Sequence, residues 1–84
     1  MNDTNNIIIP FDSDSIKGKD KDEISEQLAE VGFTNVSMRK SSEKAGLFNK
    51  KNTIEHIVVG SKVTFTTDDY FKNDIPITIY YYSK

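Results

Sequence analysis

The sequence contains no cysteine and no tryptophan, a single histidine and two prolines among 84 residues. Without cysteine the chain can form neither disulfide bonds nor thiolate metal sites. One histidine, His56, excludes a metal site built on a pair of histidines. No apolar run approaches the ~18 residues that a membrane-spanning helix needs, so we expect no membrane insertion by this segment. The first six residues lack the positively charged and apolar regions of a signal peptide.

The length of the chain accommodates one domain and no more. A domain of this size buries only about 60–65% of the surface that its unfolded chain exposes. Pockets of ~300 Å³ or more are hard to form in so small a core, which lowers the expectation of an enzyme. We therefore expect a non-catalytic protein that uses no metal and no other cofactor. We place a polar, disordered tail over residues 1–6 and a single domain over 7–84.

Charge is distributed unevenly along the chain, although the net charge is only −2. Residues 1–32 carry a balance of −5, and residues 33–84 carry a balance of +3. Neither part is basic enough to indicate nucleic-acid binding by electrostatics alone, so we expect no nucleic-acid partner. We expect the domain to be a monomer.

The pattern over residues 20–31 predicts an α-helix. Asp20 is a suitable N-cap, because its carboxylate can accept hydrogen bonds from the free backbone N–H groups of the first turn. Ile24, Leu28 and Val31 recur at the spacing of one helical face. Gly32 is expected to end the helix, since a left-handed residue after the last turn costs little only for glycine.

Other segments have the patterns of strands. A short apolar run at 7–11 contains Pro10, which cannot donate a ladder hydrogen bond, so it predicts an edge strand or an extended arm. Residues 34–39 alternate between apolar and polar side chains, as in a strand with one solvated face. A loop is expected over 40–53, with Leu47 and Phe48 anchoring it to the sheet.

The last third of the chain predicts a hairpin and a closing strand. The hairpin is expected over 54–65, with its turn at Gly60-Ser61. Ile54 and Ile57 are three residues apart, and a β-bulge near Glu55-His56 would return both to one face. The closing strand is expected over 77–82.

Together these elements predict an α+β fold, with a single helix packed on a three- to four-stranded, mainly antiparallel sheet. The predicted core consists of Ile24, Leu28, Val31, Phe33, Val36, Met38, Ile57, Val59, Phe65, Ile77, Ile79 and Tyr81.

The run of three tyrosines in the closing strand is a candidate binding surface. Alternation places Tyr81 inward with the isoleucines and puts Tyr80 and Tyr82 on the opposite face. Exposed tyrosines suit carbohydrate or protein contacts, because a rigid ring offers contact area at low entropy cost. The alternative is that the helix or another strand covers them.

Basic residues are concentrated in or beside the predicted long loop, with Glu43 opposing them. They could meet an anionic cell-wall polymer, lipid headgroups or an acidic protein patch, or they could simply keep the loop solvated. These candidate binding residues are Arg39, Lys40, Lys44, Lys50 and Lys51.

His56 and the aspartates offer weaker signals. In a strand Glu55 and His56 should point to opposite faces, so a general-base role for His56 is not favoured. The aspartates, including Asp12 and Asp69, lack the spacing of a calcium-binding loop and are better explained by turn chemistry.

The order of these motifs resembles that of a PASTA-like domain, a small module of Gram-positive bacterial envelope proteins. The resemblance covers about residues 7–82. It is carried by the proline-containing extended segment, the Gly-Lys helix start, the Gly-Phe helix end, the hairpin and the closing Ile-x-Ile-x-Tyr strand. In this sequence these motifs occupy 9–11, 18–19, 31–36, 57–65 and 74–81.

The resemblance implies a non-catalytic, extracytoplasmic binding or spacer module within a larger envelope protein, such as a lipoprotein or membrane protein. The partner would be a cell-wall polymer or another protein. The alternative is a small cytoplasmic domain that binds protein as a regulator or adaptor.

Overall fold

One helix and five strands follow one another in the described part of the chain. The structure is a computed structural model that describes residues 6–44 and 50–83. In chain order the elements are β1 (Asn6–Ile8), a 3₁₀ turn (Ser13–Ser15), α1 (Lys21–Glu30), β2 (Val36–Lys44), β3 (Ile54–Val59), β4 (Tyr70–Lys72) and β5 (Ile77–Ser83). The helix packs on the sheet, and the predicted α+β class is confirmed.

α1 begins and ends as predicted. The Asp20 carboxylate accepts hydrogen bonds from the backbone N–H groups of Asp22 and Glu23, at 3.0 and 3.1 Å. After the last turn, Gly32 takes a φ of +113°, and the Phe33 N–H donates to the Leu28 carbonyl at 3.1 Å. This bond closes a Schellman motif and turns the chain back onto the helix end.

β5 is the central strand of the main sheet, with β2 on one side and β3 on the other. β3 pairs with β5 in the antiparallel direction, whereas β2 runs parallel to β5. β1 and β4 form a separate antiparallel pair, so two of the three pairings in the described residues are antiparallel. The short β1 agrees with the predicted edge strand or arm.

The predicted hairpin forms only at its turn. Val59 and Lys62 exchange two backbone hydrogen bonds of 2.8 and 2.9 Å around Gly60, whose φ is +64°. The chain then leaves β3, and no second arm follows in the described residues. Phe65 is held instead at Ser13, which donates its N–H to the Phe65 carbonyl and accepts the Phe65 N–H at its hydroxyl.

The predicted β-bulge is present in β3. Ile54 is opposite Tyr81 and His56 is opposite Tyr80, so two residues of β3 span one step of β5. The extra residue is Glu55. As a result Ile54 and Ile57 are both buried despite their odd spacing.

Most of the predicted core is buried. Val31 is not, because it is the C-cap of α1 and remains 36% exposed. Val36 and Met38 are partly buried against the core, and Tyr81 is half-buried at its rim. The core also contains residues that the patterns did not assign to it: Ile9, Ile16, Ile54 and Phe71.

Two expectations concern the ends of the described segments. Asn6, which was expected in the polar tail, is the first residue of β1, and residues 1–5 lie outside the described residues. The expected anchor residues Leu47 and Phe48 also lie outside them. The long loop is shorter than expected at its start, because β2 continues to Lys44.

Replacing Leu28 with alanine should lower the free energy of unfolding by ~2–5 kcal/mol, because it removes a core side chain and leaves a cavity. Leu28 is 0% exposed, whereas Val31 on the same helix is 36% exposed. The control Val31→Ala should therefore cost less than ~1 kcal/mol. Urea denaturation measures both, and equal losses would contradict the observed burial.

Replacing Asp20 with alanine should cost ~0.5–2 kcal/mol, because two backbone N–H groups lose their acceptor. Asp22 is the matched control, since its carboxylate lies in the first turn of the same helix but is exposed and pairs only with Lys21 Nζ, at 3.1 Å. Asp22→Ala should change the free energy of unfolding by only about 0.3 kcal/mol. A larger loss for Asp22→Ala than for Asp20→Ala in thermal melts would contradict the assigned cap.

Candidate functional site: the open face of the sheet

The two faces of the three-stranded sheet differ in character. Cross-strand rows centred on Ile77 and Ile79 face α1 and form the core. The alternate rows, centred on Thr78 and Tyr80, point to the other side. We call this other side the open face; its members, all exposed or half-buried, are Ser37, Arg39, His56, Val58, Thr78 and Tyr80.

One of the two rows of the open face brings together Arg39, Tyr80 and His56 from three strands. Tyr80 is the cross-strand partner of Arg39 on β2 and of His56 on β3. The His56 and Tyr80 rings are stacked, with centroids 4.5 Å apart and planes inclined by 12°. Stacking on the His56 ring restricts the orientation of the Tyr80 ring, and the neighbour of Tyr80 on the other adjacent strand is Arg39.

Glu55 lies against His56, contrary to the expectation that adjacent strand residues diverge. The Glu55 Oε1 to His56 Nδ1 distance is 3.2 Å. The bulge explains the difference, because the extra residue breaks the alternation of side chains. The carboxylate and the Tyr80 ring therefore hold the imidazole from two directions, while the His56 side chain remains 43% exposed.

Tyr82 is not available as a binding residue, and this part of the prediction is wrong. Its side chain is only 3% exposed. The segment before β3 runs beside it: the Asn52 N–H donates to the Tyr82 carbonyl at 2.8 Å, and the Tyr82 N–H donates to the Thr53 carbonyl at 2.9 Å. Tyr82 is thus a structural residue, and Tyr80 alone of the two tyrosines offers accessible surface.

The basic candidate residues do not gather in one loop. Arg39 and Lys40 are consecutive residues of β2, so Arg39 lies on the open face and Lys40 points to the other. Lys50 and Lys51 are exposed just before β3. Lys44 is the last residue of β2, and its side chain lies outside the described part. In that part, no ion pair involves Arg39, Lys40, Lys50 or Lys51.

The Asp69 carboxylate takes part in a local turn, as the sequence suggested, whereas the Asp12 carboxylate makes a long-range contact. Asp12 accepts the Thr67 N–H at 2.9 Å, and Asp69 accepts the Thr66 N–H at 3.0 Å. Among residues 6–44 and 50–83, no three His, Asp or Glu side chains are grouped so that they could hold a metal ion. The Asp12 carboxylate therefore connects the loop after β3 to the segment before α1, and the Asp69 carboxylate stabilises that loop.

His56 is the functional candidate that sequence reasoning left aside. Its neighbour Glu55 and the odd spacing of Ile54 and Ile57 were the available signal, since a bulge there brings the Glu55 carboxylate to His56. The pairing of β3 with β5 was the missing information, because only that pairing brings His56 and Tyr80 together.

Comparisons with models of protein families, with curated proteins and with solved structures give no match. Among the described residues, no helix is long and apolar enough to cross a membrane.

Replacing Tyr82 with alanine should destabilise the protein by ~3 kcal/mol or more, because a buried aromatic side chain is lost. Tyr80→Ala removes a half-exposed ring and one stacking contact, so it should cost only about 1 kcal/mol. Urea denaturation with far-UV circular dichroism checks both values. The opposite ranking would show that Tyr80, and not Tyr82, is the structural residue.

Proposed function

We propose that this chain is a non-catalytic binding module of a Gram-positive bacterial envelope protein, located outside the cytoplasm. Its open face contacts a cell-wall polymer or a protein partner. The observation that carries the proposal is the row of Arg39, Tyr80 and His56, which presents a cation and two stacked rings on an accessible sheet surface.

The chemistry of this row suits recognition. Tyrosine and arginine dominate the energetics of many interfaces, because they combine large contact area with directed hydrogen bonds. The guanidinium of Arg39 can hold a carboxylate or phosphate through two parallel hydrogen bonds. Tyr80 offers a ring on which a sugar or an apolar side chain can lie.

The arrangement of the row before any ligand binds also favours recognition. Ordering a flexible side chain on binding costs ~0.5–1.5 kcal/mol. Here the His56 ring and Glu55 already restrict one another, and the His56 ring restricts Tyr80. Folding has therefore already ordered part of this surface. A polymer or peptide that binds to it causes a smaller loss of side-chain entropy, so its affinity is higher.

The envelope location rests on the resemblance to PASTA-like domains. The motifs that carry it have scaffold roles: Gly32 ends the helix, and Ile77 and Ile79 are buried in the central strand. A module of this kind occurs within a larger protein, where it binds a partner or spaces other domains.

The test is an NMR titration of the ¹⁵N-labelled domain with soluble peptidoglycan fragments and, separately, with teichoic acid. Chemical-shift changes should be concentrated at open-face residues of β2, β3 and β5. Arg39→Gln should weaken binding about tenfold, because a charge-assisted contact is lost. Lys40→Gln is the matched control, since it removes the same charge one residue away on the other face and should leave the affinity unchanged.

A different pattern would refute the proposal. Equal losses for Arg39→Gln, Lys40→Gln and the triple change of Lys44, Lys50 and Lys51 to Gln would mean that the ligand responds only to overall positive charge. If neither polymer binds while a protein partner captured through Tyr80 does, the wall-polymer part fails and the protein-binding part stands.

A further inference from the structure

A cleft of about 350 Å³ lies on the helix side of the protein, between the N-terminal arm and α1. Pro10 and Phe11 form one wall, and the helix residues Glu23, Ile24 and Gln27 form the other, with Lys19 at the rim. The volume is at the lower end of the ~300–1,000 Å³ range of small-ligand pockets. The helix side faces away from the open face, so this cleft is a separate location.

The walls of the cleft are fixed by the fold. The Lys19 carbonyl accepts the Ile54 N–H at 2.9 Å, and the Lys19 N–H donates to the Ile16 carbonyl at 3.0 Å. Ile24 is a core residue, and the Phe11 ring packs at a tilt against Phe65, with centroids 6.4 Å apart. A ligand would therefore meet a preformed surface and would need little rearrangement of the backbone.

Three polar side chains at the cleft have no partner in the described residues. No ion pair or hydrogen bond there uses the Lys19 ammonium, the Glu23 carboxylate or the Gln27 amide. Lys19 and Glu23 are four residues apart, but Lys19 precedes the N-cap and is not on the helix, so the usual pairing along a helical face is not made. The cleft thus offers one positive and one negative group, both exposed, beside the apolar side chains of Pro10, Phe11 and Ile24.

We infer that this cleft binds a short peptide with free termini and an apolar side chain. Lys19 holds the terminal carboxylate, Glu23 holds the terminal ammonium, and Gln27 hydrogen-bonds the peptide amide. The apolar side chain lies against Pro10, Phe11 and Ile24. An anionic polymer is disfavoured because Glu23 would repel it, and a lipid chain is disfavoured because it would leave both charges without partners.

The experiment is an NMR titration of the whole chain with the dipeptide alanyl-leucine and with its acetylated and amidated forms. The free dipeptide should shift the amide signals of Lys19, Glu23 and Gln27, with a dissociation constant on the order of 1 mM, as expected for so small a ligand. Glu23→Gln should weaken binding of the free dipeptide about three- to tenfold and have no effect on the acetylated form. Lys19→Gln should likewise weaken binding of the free dipeptide about three- to tenfold and have no effect on binding of the amidated form.

The controls are Glu26→Gln and Lys17→Gln, which remove the same charges from exposed positions outside the cleft. Both should bind the free dipeptide like the parent chain, and circular dichroism checks that every variant is folded. If the amide signals do not shift when the free dipeptide is present at ten times the expected dissociation constant, the inference is overturned. So does equal binding of a dipeptide blocked at both ends, because the charged groups would then contribute nothing. Since the open face is tested with other ligands and variants, either proposal can fail without the other.

Discussion

The rest of the structure depends on the position of β5 between β2 and β3. A strand paired on both sides places alternate residues on two surfaces, and here Ile77 and Ile79 are 0% exposed beneath α1. The same alternation directs Thr78 and Tyr80 to the open face. Burial of the two isoleucines and exposure of Tyr80 on the open face therefore follow from the same strand register. A shift of that register by one residue would move the isoleucines to the open face and Tyr80 to the core.

The bulge at Glu55 refines this arrangement. Without the extra residue, Ile54 would not share the buried face of the strand with Ile57. The bulge also turns Glu55 toward His56, which gives the imidazole a second neighbour. A local irregularity of the backbone thus lets Ile54 be buried and brings the Glu55 carboxylate to His56. Bulges often have this role, since they redirect a side chain at the cost of one unpaired residue.

The local features of the fold could be predicted from the sequence, and the pairing of strands could not. The helix, its Asp20 cap, its end at Gly32 and the bulge all follow from residue spacing within a few positions. The parallel alignment of β2 with β5 joins segments about forty residues apart, and no local pattern encodes it. The exposure predicted for Tyr82 was wrong for the same reason. Alternation along the strand placed Tyr82 on the face opposite the isoleucines. Its burial is accompanied by hydrogen bonds to Asn52 and Thr53, which are tertiary contacts that no local pattern encodes.

The central claim is that the Arg39, Tyr80 and His56 row exists as an ordered surface before any ligand binds. The most direct measurement is a nuclear Overhauser spectrum of the free protein in solution, read for the aromatic protons of His56 and Tyr80. Ring centroids 4.5 Å apart predict strong cross-peaks between the two rings, together with ring-current shifts of the His56 signals. If those cross-peaks are absent while contacts between Ile79 and Ile57 are present, the sheet is correct but the preformed recognition surface is not.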